Sequence, residues 1–454
     1  MLAASISNAQ EHEELGMGLV IDEEAYNNIP GKPALVTRSY NGLPESHSLV
    51  QYCPKPRSQG NFGSCSAWST GYAARTIAEA IANGWVNTDI ITEEAFSPWF
   101  VYTNIRRNHN DNCSGGTAIE DALRLMKNTG ITKFSEYSSE CEDYVPTPIM
   151  EASERYKIDD YFTLIPYQCN DYQLKINSVK KAIANDRPVI FAMDVYKSFG
   201  DSWGKELWDG VMEGNPGGHA MCVIGYDDNM YGGAFHIQNS WGTSWGDGGR
   251  IWVKYDDFAK CAKYAFEMYV RPKTTGKNLL RGNFYIKFAT GEQPSATLDT
   301  VSSAIPHYKI YGEYVSGTRY RIYITNNEPA YVYLIGSDLY NNCGKVFPPN
   351  EHVSSALVYK SNCIAIPDER FYVQMDNTVG KDYICVLYSS EKLDIDTIVE
   401  DIKNGAGDFY ERLEAALGRD MVTSADVKFS QNSISFSANT RRVVLPIVAE
   451  MLHK

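Results

Sequence analysis

The sequence predicts an α+β fold in two parts, a helix-then-strand segment followed by a mainly β, sandwich-like domain. Three observations carry that reading. Apolar residues recur at helical spacing over residues 65–83, and residues 93–130 are helical in pattern. From Ile158 to Val270 a helix feeds a buried strand, and further strands follow across Gly-rich turns. Beyond Arg271-Pro272-Lys273-Thr274-Thr275-Gly276-Lys277, short strand-like runs succeed one another at turn-separated intervals.

Taken in order, residues 1–10 resemble the tail of a secretory signal without its basic start or full apolar core, and an ordinary tail fits them equally. Residues 11–42 are polar and acidic, carry Pro30 and Pro33, and read as a strap along the surface. Gly60 and Gly63 let the chain turn before Cys65 opens a helix marked by Trp68, Tyr72, Ile77 and Ile81. A second helical run starts at Ala95. After a turn at Gly115 and Gly116, Thr117 is placed to cap residues 118–128, with Glu120 three positions on as in a capping box. Residues 179–185 read as a helix feeding the strand 187–193. Residues 221–226 and 234–238 read as strands joined by the polar turn 227–233. Strands are expected at 320–325, 331–335, 363–366, 371–375 and 383–388, then a helical stretch over 394–417 and a strand-like run over 433–446. The tyrosines alternating in these strands are expected mainly in the sandwich core.

The chemistry sits in the first part. A cysteine at a helix N-terminus meets unpaired N–H groups and the positive dipole end, which favour thiolate over thiol. His219 and Asn239 lie symmetrically about residue 229, inside the turn between the two strands, so antiparallel pairing sets them opposite within a residue or two. The Asn amide oxygen can then accept from one imidazole nitrogen while the other faces Cys65. Nucleophile, base and orienting group are thus all in place for acyl transfer.

Gln59 with Cys65 six residues on, Gly218-His219-Ala220, and Asn239-Ser240-Trp241-Gly242 followed by Trp245-Gly246 resemble the papain family of cysteine peptidases, in its bacterial type. The resemblance implies a papain-like two-lobe cysteine peptidase fold with Cys65 as nucleophile, His219 as base and acid, and Asn239 as orienter. It further implies Gln59 and Cys65 as oxyanion donors, Trp241 as a shield of the Asn–His bond, and Gly115, Gly116 and Gly218 as substrate-binding positions. It calls for no metal or organic cofactor. Ser66 stands where the family has Trp, the nearest aromatic being Trp68, so the cleft wall there is expected to differ. The family bonds the cysteine at Cys113 to one at the position of Phe62, so Cys113 is expected to be free or to have another partner. Family zymogens carry a long helical prosegment, for which there is no room ahead of Gln59; latency by that device is not expected. The runs 330–335 and 344–350 and the Ile366-Pro367 strand end resemble a β-rich domain of unknown function attached to bacterial peptidases and surface proteins.

The expected organisation is therefore an N-terminal segment 1–42, a peptidase domain 43–272 and an accessory domain 278–454. A net charge of −14 argues against nucleic acid, since phosphate binding needs a basic surface. No apolar run is long enough for a membrane span. Of ten cysteines, Cys343 and Cys363 are the candidate local pair. The expected function is hydrolysis of a peptide or protein substrate by an endopeptidase in a secreted, periplasmic or cell-surface setting. An exopeptidase remains open, should a loop or the acidic N-terminal segment block one end of the cleft. So does an idle scaffold whose β-domain binds a glycan, envelope component or protein partner.

Overall fold

The computed structural model describes residues 15–167, 169–271, 276–301, 303 and 305–454, with backbone only at 37 and 38. The signal-like residues 1–10 and the break at 272–275 lie outside them. The chain forms two compact units, one of residues up to Asn28 plus Leu43–Arg271, the other of Ile29–Gly42 plus Pro272–Lys454. The N-terminal segment read as one piece is therefore shared between them.

In the first unit the chain is helical from Cys65 to Asn83, α-helical over Cys65–Ala67 and Thr76–Asn83 and π-helical over Trp68–Arg75, and Gly84 closes it at φ +67. Every residue from Gly63 to Ala80 is buried, including Arg75 and Glu79, which are paired at 2.9 Å. Trp68 turns into this core, against Tyr72 and Trp99. The helix Pro98–Ile105 starts later than the sequence suggests, because Ser97 accepts from the Phe100 N–H and Pro98 fills the first turn. Thr117 does not cap the helix Ile119–Asn128. Its hydroxyl is hydrogen-bonded to Ser66, and Ala118 takes the cap position without a side-chain bond.

The helix Tyr172–Ile183 feeds the strand Val189–Val195. The sheet runs in the order Asp160–Thr163, Ala262–Tyr269, Val189–Val195, Gly217–Asp227, Ala234–Gln238, Arg250–Lys254, with Ser46–Ser48 added on Gly217–Asp227. All its pairs are antiparallel. Cys222 pairs with Gln238, and a bulge before Gly225 shifts the register by one.

The second unit is a sandwich of a seven-stranded and a six-stranded sheet around one core that includes Ile286, Ile324, Val332, Val386 and Ile447. Asn362–Ile366 stands at one end of the six-stranded order and pairs with Arg319–Asn326. The expected helical stretch divides into Ile395–Asn404 and Phe409–Leu417. Tyr308, Tyr320, Tyr333, Tyr383 and Tyr388 are buried, whereas Tyr311 and Tyr340 are exposed. Cys343 and Cys363 are not bonded to each other. Cys343 precedes a strand of the seven-stranded sheet and Cys363 lies in the six-stranded one; stacked sheets are about 10 Å apart, beyond the Cα reach of a disulfide.

Candidate active site

The site begins with the two segments that the sheet and the central helix bring together. The strand Gly217–Asp227 carries His219, and Asn239 follows directly on Ala234–Gln238. The register sets the two residues diagonally, and His219 Nε2 is 2.8 Å from Asn239 Oδ1. That oxygen also accepts from the Ser240 N–H at 2.7 Å, which identifies it as the acceptor end of the amide. Nε2 is consequently the protonated ring nitrogen. Nδ1 keeps the lone pair; it is buried and has no hydrogen-bond partner among the described residues. Trp241 stacks on the imidazole with ring centroids 4.5 Å apart and an interplanar angle of 18°.

Cys65 opens the central helix and is fully buried. The backbone amides of Ala220, the residue after His219, and of Ser66, Cys65 and Gly18 act electrostatically on its sulfur. Those amides and the helix end favour thiolate, yet burial outweighs them and pushes the thiol up to about 11. Burial likewise pushes His219 down to about 4 against the opposing bond from Asn239. The thiolate expected from the helix end is thus not the form held here, because desolvation penalises the charged state of both partners.

Gln59 is buried and fixed at both ends of its amide: Nε2 donates to the Phe62 carbonyl at 2.8 Å and Oε1 accepts from the Ser240 hydroxyl at 2.5 Å. One Nε2 hydrogen remains. Ser66 faces Thr117, and Phe62 packs edge-on against Trp99 at 5.2 Å. Cys113 is bonded to Cys141.

The source of the burial is the chain's own N-terminal segment. Gly16 N–H donates to the Gly60 carbonyl at 3.0 Å, and Trp241 Nε1 donates to the Gly16 carbonyl at 2.8 Å. Leu19 N–H reaches the Gly218 carbonyl at 3.4 Å; Thr117 N–H donates to Gly18 O at 2.8 Å and Val20 N–H to Thr117 O at 3.1 Å. Residues 16–20 therefore run between the Gly218 edge and the Thr117 edge, with Leu19 forming an isolated parallel bridge to Thr117, across Cys65 and His219. The absence of side chains lets backbones meet: a Cβ on Gly116 would stand 2.2 Å from Gly18 O, and one on Gly63 2.3 Å from Gly115 O. Farther on, Tyr26 is buried with its ring stacked on Tyr264 at 4.2 Å.

The structure thus brings Gln59, Cys65, Gly115, Gly116, Gly218, His219, Asn239 and Trp241 to one cleft. Sequence reasoning missed Ser240 as the holder of Gln59, and it missed the strap's place in the cleft. Among the described residues no helix is long and apolar enough to cross a membrane, and no cluster could hold a metal ion.

Residues 45–270 match the family described as "Papain family cysteine protease", and residues 313–392 match a domain of unknown function, DUF4384. Relatives include a cysteine protease of Blomia tropicalis, 26% identical over 223 residues (48% of this chain, 62% of that protein). Another is the cysteine proteinase COT44 of Brassica napus, 24% identical over 210 residues (46% of this chain, 58% of that protein). The chain thus spans about 60% of the length of these curated relatives. Among solved structures, xylellain, a cysteine protease from Xylella fastidiosa, aligns with 21% identity and a TM-score of 0.45, over 58% of this chain and 100% of that one. The chain belongs to the papain family of cysteine proteases through its residues 45–270 and carries a DUF4384 domain after them.

Proposed function

We propose that this chain is an endopeptidase that cleaves peptide bonds through a thioester on Cys65, and that residues 16–20 hold it in a latent form. The observation that carries the reading is the Asn239–His219 bond under Trp241, which leaves Nδ1 as a lone-pair base, with Ala220, the next residue, acting on the Cys65 sulfur through its amide. Nδ1 takes the thiol proton as sulfur attacks the carbonyl carbon. The oxyanion is met by the free Gln59 Nε2 hydrogen and the Cys65 N–H. Nδ1 then protonates the leaving amine as the C–N bond breaks. Water, deprotonated by Nδ1, adds to the thioester, and the C–S bond breaks to return thiol and acid.

A substrate takes the track now filled by the strap, between Gly218 on one side and Gly115, Gly116 and Thr117 on the other, as an added strand. The chain passes over the nucleophile and continues both ways, to Leu15 and beyond Val20, which supports internal rather than terminal cleavage. The Cys113–Cys141 bond supports action in an oxidising, extracytoplasmic compartment.

Cleavage of a mixed peptide library after release of the strap is the test, with Cys65→Ala as control. Internal cuts lost in Cys65→Ala and blocked by a thiol-directed epoxide are expected. Retained cleavage in Cys65→Ala would overturn the mechanism, and removal of only terminal residues would overturn the endopeptidase reading.

A further inference from the structure

The second unit contains a cavity of about 300 Å³ between its two sheets. Ile322 and Val373 line it from the six-stranded sheet and Leu334, Gly336 and Ile384 from the seven-stranded one, with Met375 beside them. Ile322, Leu334, Met375 and Ile384 belong to the apolar core of the unit, so this wall is apolar. Gly336 leaves the room: it pairs with Ile384, and a Cβ there would meet nothing nearer than Val346 at 3.6 Å. Two residues on, the same register sets Asp338 opposite Asp382, and Asp376 joins them on the lining. Asp338 is 7% exposed and accepts from the Tyr340 and Asn342 N–H groups, whereas Asp376 is exposed. Burial raises Asp382 above the usual carboxylate range, and Asp376 and Asp338 add to that against the pull of His453, whose Nδ1 is 3.3 Å away. Lys345 also lines the cavity, but its charge is paired with Asp396 at 2.6 Å. Tyr320, 8% exposed, lines it too. Among the described residues its hydroxyl has no hydrogen-bond partner, and Asp382 and Asp376 are near enough to act on it. A buried phenol left unpaired costs free energy that a bound polar group would recover.

We propose that this cavity binds an α-ammonium group borne on an apolar residue, as at a peptide N-terminus or in a free amine of the same form: the charge lies on the rim of Asp338, Asp376 and Asp382, and the apolar side chain enters between the sheets. The exposed Asp376 marks the solvent end and the buried Leu334 and Ile322 the inner end, so the apolar group goes in first and the charge stays at the water. A lysine side chain, charged at its tip, would put that charge against the apolar wall. An anionic ligand would be repelled by the rim. The Tyr320 oxygen accepts from the ammonium, and each methylene buried between the sheets tightens binding by about fourfold. Leu339, Tyr340 and Val379 are exposed on the loops that leave Asp338 and lead to Asp382, an apolar surface for the residues that follow in a peptide. Hydrolysis of a peptide bond creates one such N-terminus per cut, so a protease domain in the same chain supplies ligands of this class. The assignment rests on the cavity alone and is independent of how Cys65 is covered.

The test is calorimetric titration of the full chain carrying Cys65→Ala, so that no probe is hydrolysed. The probes are leucinamide, N-acetyl-leucinamide, free leucine, glycinamide and leucyl-glycyl-glycinamide. Leucinamide is expected to bind. Acetylation removes the charge and is expected to weaken binding by about ten- to a hundredfold. Free leucine, whose carboxylate meets the rim, and glycinamide, which leaves the cavity empty, are each expected to bind about tenfold more weakly or worse. Gly336→Leu fills the cavity and is expected to abolish binding. Tyr320→Phe keeps the ring and removes only the hydroxyl; it is expected to weaken leucinamide by about fivefold, so a folding defect of Gly336→Leu does not decide the matter. Tighter binding of the tripeptide amide than of leucinamide supports a peptide terminus as the source, and equal binding supports the free amine. No binding of leucinamide, equal affinity for leucinamide and its acetyl form, or an affinity unchanged in both Gly336→Leu and Tyr320→Phe overturns the proposal.

Discussion

Replacing Gly18 by valine is expected to open the cleft, and the size of the effect follows from the atoms it meets. Gly18 has φ +152, a conformation that suits glycine, and a Cβ there would stand 2.5 Å from Gly63 Cα and 2.6 Å from Gly63 O. Backbone cannot yield as a flexible side chain can, and this backbone is pinned by the Gly63 N–H to Cys113 O bond at 2.9 Å, next to the Cys113–Cys141 disulfide. Strained φ costs about 1–3 kcal/mol and overpacking about as much, so a combined value of about 3 kcal/mol shifts covering by roughly a hundredfold. The thiol reports the change. At about 11, roughly one Cys65 in ten thousand is thiolate at neutral pH, and reactivity climbs about tenfold per pH unit through pH 10. With the strap gone the desolvation lifts, while the amides of Ala220, Ser66 and Cys65 remain, so the inflection moves below the ordinary value of 9.0. Iodoacetamide labelling from pH 5 to 10, resolved by mass mapping because seven other cysteines lie outside the disulfide, distinguishes the two profiles. A parent chain and a Gly18→Val chain with the same rate and inflection would refute the claim that the strap buries the nucleophile.

The covering itself is expected to be strongest from about pH 6.5 up to the uncovered thiol's inflection, below 9: His219, depressed to about 4, contributes fully above 6.5 and loses that contribution as pH falls toward 4, while the raised Cys65 thiol contributes below that inflection and loses it as pH rises toward 11. Glu120, raised to about 7 by burial near Tyr26, favours covering as pH falls and reverses the acid limb only if Tyr26 leaves with the strap; hydrogen exchange at the Val20 amide across pH reads the outcome. Ser240→Ala frees one end of the Gln59 amide and is expected to lower kcat by about tenfold, a fraction of the loss from deleting an oxyanion donor, with KM little changed; a raised KM at constant kcat contradicts that assignment. Replacing Cys113 and Cys141 by serine opens a loop with a sequence separation of 28 and is expected to cost about 3–4 kcal/mol in urea unfolding; a loss under 1 kcal/mol would show that the bond constrains little.

The parts of this architecture legible in the sequence are those specified locally. The central helix is written in its apolar period and its terminal Gly84, and the Gly217–Asp227 and Ala234–Gln238 hairpin in its Gly-rich turn, so His219 and Asn239 could be set together before any coordinates. Thr117 shows where local reasoning fails: its hydroxyl suits a cap, but Ser66, 51 positions earlier, reaches it first. The strap was expected as a surface segment, but its course through the cleft was illegible for a different reason. Its bonds join backbone groups of Gly16, Gly18, Leu19 and Val20 to backbone groups or to the Trp241 indole, and strand addition needs no side-chain code. The glycine alternation at 16 and 18 was the one available signal, matched across the cleft by Gly63 and Gly116.

The same geometry explains why a site built for an ion pair holds two neutral groups. In a fully buried pocket the cost of desolvating a thiolate and an imidazolium exceeds what a helix end, four backbone amides and one Asn bond return. Return of water or a polar substrate removes that cost and leaves the amides of Ala220, Ser66 and Cys65 in place, while that of Gly18 departs with the strap. On the latent-peptidase proposal, protonation of Cys65 and His219 follows the position of residues 16–20, and the segment then acts on the chemistry as well as on access.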